Sequence, residues 1–451
     1  MDFDSQNGKV QFDCISLSQI RADCEIDTYV MKNIPAFIEE DFMLSAENYI
    51  SQIEYEMVST QWLEGTTYYT KEWKDVDKDI KSNQSLGLES RKTSYFKNIL
   101  PQEILSLDSD LKKAKSIYYH LQRKLKWNRR LQIFKDYNVK KAFESKTGSL
   151  AELNTILLNT LKAQGFNVEM MLLSTRKNGL ATKLYPSLSE FNYMIVKLNI
   201  NDQSYFLDLT DKFKKFGELP FKCYNQYGRV FDFKNSSYWQ DLIPKNRLAY
   251  KKDIYYDLKE DVIQGKARFK SDGYINQSKR LKYFRDKEAY LKSFEKNETL
   301  ELLNYEGKNF LDLEKPFIET ISFEVEPEEI GEDIYFNPFL FNEFEKNPFQ
   351  LKERNYPVDF GKLQEYKTQI TFEIPEDYDL EFTPEKKLIK TYDNSVVVEI
   401  NMSKKENKIV LTRYIYINKI TLEANQYQNL KRVFQAILDV QNNTILVLKK
   451  K

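Results

Sequence analysis

The sequence predicts an α+β chain of several domains, β-rich and antiparallel toward both ends with a mixed core between. Three observations predict it. A chain of 451 residues is longer than one hydrophobic core usually serves. Its 30 Tyr and 30 Phe, set against 13 Gly and 12 Pro, favour strands with bulky interiors. One strongly amphipathic helix near residue 150, followed by strand-like runs, then breaks the β texture.

Strand-like alternation opens the chain from Lys9 to Cys14 and continues in 31–40 and 53–57. Asp75, Asp77 and Asp79 suggest a calcium loop, but Ile80 stands where such a loop needs Gly and Leu86 where it needs its closing Glu. A solvated helix face is the reading that remains. From Asp108 to Lys126 an acidic start, an apolar stripe (Leu111, Ala114, Ile117, Tyr118, Leu121 and Leu125) and a basic end predict a helix.

His120, the single histidine, falls beside that stripe and reads as a surface residue. One histidine excludes most His-based zinc sites and any conventional Cys-His or Ser-His pair in the central region. The basic run from Arg123 to Arg130, with Trp127 inside it, suits a helix C-terminus. Lys plus Arg and Asp plus Glu both total 68, so no net charge draws nucleic acid to it.

Leu150, Leu153, Leu157, Leu158 and Leu161 recur at helical spacing, and Gly165 stands where a C′ glycine belongs. Ser149 with Glu152 three residues on is a capping box, contributing about 1 kcal/mol to the helix start. A buried strand over 168–176 follows, then strands over 192–196 and 205–210 joined by a polar turn.

This succession resembles the transglutaminase-like fold, the circularly rearranged relative of papain-type cysteine proteases. In that family a nucleophilic Cys follows a Gly and opens a helix, a His begins a later strand, and an Asp sits in a strand reading Asp-Pro-Thr. At the family's spacing, Ser149 follows Gly148 in the Cys place and Asn192 stands in the His place. Asp208, with Leu209 and Thr210, keeps the Asp place. The resemblance, close from about residue 99 to 230, implies a papain-like core flanked by antiparallel β-domains and a degenerate triad. Serine is a far weaker acid than a thiol and depends more on a base, while Asn192 cannot accept a proton at neutral pH.

The opening strands resemble the end of a β-domain that precedes such a core in a bacterial exported family of unknown function. There the β-domain is longer and follows a signal sequence. That resemblance implies a truncated start at Met1 and a periplasmic or extracellular location. Beyond Trp239, the run Gly265 to Gly273 reads as a hairpin leading into a charged helical stretch, and 320–326 alternates cleanly. After an aromatic connector punctuated by Asn-Pro, Tyr366 to Ile374 and Val396 to Met402 alternate as strands. Tyr427, Leu430, Phe434, Ile437 and Leu438 mark a helix, with a closing strand over 444–448. This last part resembles the C-terminal domain that accompanies the same family. The expected units are 1–90, the end of a β-domain; 91–238, the core; 239–353, a β-rich link; and 354–451, a β-domain with one helix.

No apolar run approaches the ~20 residues of a membrane helix. Cys14, Cys24 and Cys223 are too few and scattered for a disulfide framework or metal site, and no cofactor is called for. Two functional readings follow. One is a non-catalytic binding or scaffolding module taking a protein, peptide or glycan. The other is a Ser149-dependent amide hydrolase or acyl transferase with an unrecognised base. The missing histidine favours the first.

Overall fold

The computed structural model describes the chain apart from residues 1, 11–23, 54, 56, 63–64, 69–71, 136, 245, 261, 296–298 and 382–384. Cys14 and part of the expected 53–57 strand lie outside the described residues. The chain is α+β and multidomain, with helices set among largely antiparallel sheets.

Asp2–Val10 and Cys24–Lys32 pair as an antiparallel ribbon. Residues 33–40 leave it without regular structure, against the expectation that the strand continues. Pro35 has no N–H to give a ladder, and Glu40 turns inward instead. Its carboxylate accepts from the amides of Asn355 and Tyr356, at 2.8 and 3.1 Å, and faces Arg354 Nε at 3.3 Å. The Asp75–Asp79 run lies on the helix Trp73–Ser82. Asp75 accepts from the Glu72 amide and Asp77 from the Ser237 amide, so both carboxylates serve backbone N–H groups.

The central unit is a five-stranded antiparallel sheet with the helix Leu150–Ala163 against it. In order across the sheet the strands are Tyr238–Asp241, Tyr227–Phe231, Asn167–Leu173, Tyr193–Ile200 and Gln203–Leu207. The helix is buried nearly all round, including Leu150, Leu153, Ile156, Leu157 and Leu161. Its end is closed as the glycine predicts. Gly165, at φ 85°, donates to the Lys162 carbonyl and Phe166 donates to that of Leu161, which caps the last turn. Asp110–Lys124 is the expected helix and buries Ala114, Ile117, Tyr118 and Leu121 in the same core. Val76, Ile80 and Leu86 join them, so this core begins upstream of the expected start at 91.

The C-terminal half is built on one eight-stranded sheet. Leu300–Lys308, Phe317–Val325, Val262–Asp272 and Leu248–Lys259 form one half of it. Gln364–Glu373, Lys408–Ile417, Val396–Lys405 and Glu385–Lys390 form the other. The segments expected as separate units, 239–353 and 354–451, therefore give four strands each to one sheet and share one hydrophobic core. The two halves meet through a parallel pairing of Leu248–Lys259 with Gln364–Glu373, in a sheet otherwise antiparallel. That pairing satisfies backbone groups on two strands that would otherwise be open edges.

A buried ion cluster lies across the same junction. Glu343 is ion-paired with Lys252 Nζ at 2.6 Å and accepts from Arg413 Nη2 at 2.7 Å, with all three side chains at most 4% exposed. Gln441, on the helix Tyr427–Asn443, accepts from Arg413 at 3.2 Å.

Candidate functional site

Ser149 is the N-cap of the central helix, as its spacing to Glu152 predicts. Its hydroxyl oxygen accepts from the Glu152 amide at 3.3 Å, and the Glu152 carboxylate accepts from the Ser149 amide at 2.7 Å. The other Glu152 oxygen accepts from the Asn138 amide at 3.0 Å, tying the cap to the preceding helix start. The chain before Ser149 is held down as well. Asn128 donates to the Gly148 carbonyl and Leu150 to that of Arg130, and Ser149 is only 3% exposed. The hydroxyl is thus engaged in the cap and nearly closed off from solvent.

Asp208 is fully buried and densely bonded. Oδ1 accepts from Asn154 Nδ2 at 2.9 Å; Oδ2 accepts from the Thr210 hydroxyl at 2.5 Å and from Tyr193 OH at 3.2 Å. Burial pushes its carboxyl above the usual carboxylate range, while the bonds from Thr210 and Asn154 pull the other way. Asn154 is the helix's link to this group. It also donates to the Met194 carbonyl at 2.8 Å and accepts from the Leu209 amide at 2.9 Å, so its amide is fully used.

Asn192 does not join this cluster. Its Oδ1 accepts from the Thr175 amide and its Nδ2 donates to the Thr175 hydroxyl, both at 2.9 Å. The side chain that meets Asp208 belongs to the next residue, Tyr193. Successive residues of a strand point to opposite faces, so a register displaced by one residue exchanges them. The expected convergence of Ser149, Asn192 and Asp208 is corrected accordingly: Asp208 gathers Tyr193, Thr210 and Asn154, while Asn192 closes onto the neighbouring strand end. Neither the Asn192 bonds nor the Ser149 cap reach Asp208.

Burial, reinforced by the Asp208 charge, raises the Tyr193 phenol well above its ordinary pKa, so it stays protonated and donates. Lys222 caps the cluster, its ammonium 4.6 Å from the Tyr193 ring centroid and 5.2 Å from that of Trp127. Cys223, the next residue, is fully buried; burial and then Asp208 push its thiol well above the ordinary range. A protonated thiol is a poor nucleophile. His120 is half-buried on its helix, and no hydrogen bond among the described residues ties it to these groups.

Sequence reasoning missed Tyr193, Asn154 and Lys222. Asn154 carried a signal, since it shares the stripe of Leu150, Leu157, Leu158 and Leu161, where a polar residue must find a buried partner.

Residues 332–447 match the model of DUF3858, a domain of unknown function with a solved structure. No curated protein matches the chain. Among solved structures, a Parabacteroides distasonis protein described as a candidate protease aligns at 12% identity with a TM-score of 0.49. The alignment covers 99% of this chain and 70% of that one.

Proposed function

We propose that residues of the central unit form a transglutaminase-like core whose site is catalytically silent, and that the chain serves as a binding or scaffolding module for a protein, peptide or glycan. One observation carries the reading. The position that faces the buried Asp208 holds Tyr193, a phenol that donates to the carboxylate, where a hydrolytic site needs a base that accepts. Ser149 adds to it, because its hydroxyl serves the helix cap.

Restoring a thiol and an imidazole together tests the resemblance behind this reading. With Cys14, Cys24 and Cys223 replaced, Ser149→Cys alone is expected to alkylate slowly with iodoacetamide, because the position is nearly closed to solvent and lacks a base beside it. Tyr193→His alone lacks a thiol to activate. The two together are expected to shift the alkylation profile to lower pH, because members of such a site act as a unit. An unshifted profile in the folded double variant means that these positions do not cooperate, and the transglutaminase-like reading falls.

The resemblance to an exported family further places the protein, in this proposal, in the periplasm or outside the cell. No helix among the described residues is long and apolar enough to cross a membrane. Fractionation of the native host should find the protein outside the cytoplasm; recovery in the cytoplasmic fraction would refute the placement.

A further inference from the structure

A cavity of about 950 Å³ lies against the buried face of the eight-stranded sheet. Tyr250, Lys252 and Phe269 form its floor. Lys252 and Phe269 are cross-strand partners, and Tyr250 precedes Lys252 by the two residues that keep it on the same face. The helix Tyr274–Arg285 makes one wall with Ile275, Ser278, Lys279 and Lys282, which at that spacing share one side of it. Tyr290, Phe294 and the stretch 339–345 close the rest. Ser278, Lys282 and Glu345 are exposed, so the cavity opens to solvent.

The charges around this cavity do not balance. Among the described residues, Lys252 and Arg413 share Glu343, while Lys279 donates to Glu319 at 2.5 Å and to the Tyr250 hydroxyl at 2.9 Å. The two lysines meet at Tyr250, their ammoniums 5.4 and 4.6 Å from its ring centroid. Three cations held by two buried carboxylates leave one positive charge over. Lys282 and Glu345 offset each other at the rim, so the surplus lies inside. A charge in the interior without a counterion is costly, and an anion in the cavity removes that cost. Lys279 can meet such an anion. Its side chain lines the cavity and is 16% exposed, and its two bonds leave the third ammonium N–H unused.

Much of the remaining wall is aromatic. Phe269 stacks with Phe294 at 5.8 Å between centroids and meets Phe341 edge-on at 5.3 Å, and all three rings line the cavity. We propose that this cavity binds a small monocarboxylate with an apolar, ring-bearing body. The carboxylate accepts from Lys279 and supplies the missing negative charge, and the body packs on Phe269, Phe294 and Phe341 in offset or edge-to-face contact. A dianion such as phosphate would overcompensate the one surplus charge and leave the rings in water, which favours the monocarboxylate. Small-molecule sites commonly enclose about 300–1,000 Å³, so the space suits such a ligand. The cavity belongs to the C-terminal half, and the inference is independent of whether the Ser149 site is silent.

The test titrates the full chain by calorimetry with naphthalene-2-acetate, and with naphthalene-2-acetamide as its uncharged counterpart. The acid is expected to bind saturably, and the amide about tenfold or more weakly, because it lacks the charge that Lys279 meets. Ser278→Trp, a change at an exposed position of the rim, sets an indole across the mouth and should weaken the acid by about tenfold or more in a variant that circular dichroism shows to be folded. Inorganic phosphate should not compete. Acetyl-Gly-Phe is the second competitor: displacement of the acid assigns the natural carboxylate to a peptide end, no displacement assigns it to a free acid, and both support the site. An amide that binds as tightly as the acid, an acid that does not bind saturably, or a folded Ser278→Trp variant with unchanged affinity overturns the proposal.

Discussion

Replacing Glu343 with Leu is expected to destabilise the chain by about 3–5 kcal/mol, read from denaturant unfolding, because it leaves two buried cations without their shared anion. Burial pushes the Glu343 carboxyl up, but Lys252 and Arg413 more than offset this and hold it below the ordinary range. Lys252, drawn down by burial against the pull of Glu343, stands at about 8. The unfolded chain releases this proton only near 10.4. Between those values the unfolded state binds more protons than the native state, so this group makes stability rise with pH. Without Glu343 the native amine loses its proton more readily. The loss in Glu343→Leu should therefore be greatest at acidic pH and shrink as pH rises to about 8, above which Lys252 is neutral in both native proteins. A loss that does not change across that window would mean that Lys252 is not the buried charge left behind.

Asn154→Leu is expected to be the second large effect. It fills similar space but strips partners from Asp208 Oδ1, the Met194 carbonyl and the Leu209 amide, all of them interior. An unpartnered buried polar group costs about 1–3 kcal/mol, so a loss of roughly 3 kcal/mol or more is expected. Thermal unfolding would show it. Asp208→Asn is the informative companion. The Asp208 carboxyl is raised in the folded state, so its contribution is full below the ordinary carboxylate range and is lost as pH rises through its folded value. The amide variant should lack that fall. A variant that keeps it would place the titrating group elsewhere.

Legibility followed sequence distance. The Ser149–Glu152 capping box and the Gly165 close of the central helix are built from residues within a few positions of each other, and both were readable. The amphipathic helix near Tyr427 was readable for the same reason, and it is present as Tyr427–Asn443. The strand carrying Asn192 and Tyr193 was visible too, but its register was not. Spacing along the chain tolerates a one-residue displacement, whereas the pleat does not, and only the bond from Tyr193 to Asp208 shows which residue faces inward. The eight-stranded sheet was split in the sequence reading because Leu248 pairs with Gln364 across more than a hundred residues. Nothing local to either strand announces a parallel neighbour. The Lys252–Glu343–Arg413 cluster was hidden likewise, since each member read alone is one more charged residue in a chain that has 68 of each sign.

The most direct measurement is amide turnover by the unmodified protein against a Ser149→Ala control, both at the same high concentration and over a mixed peptide pool. The silent-site account predicts no cleavage or transfer that distinguishes the two, because the Ser149 hydroxyl caps the helix and Tyr193 offers a proton where one must be taken. Turnover by the native protein that disappears in Ser149→Ala would contradict it.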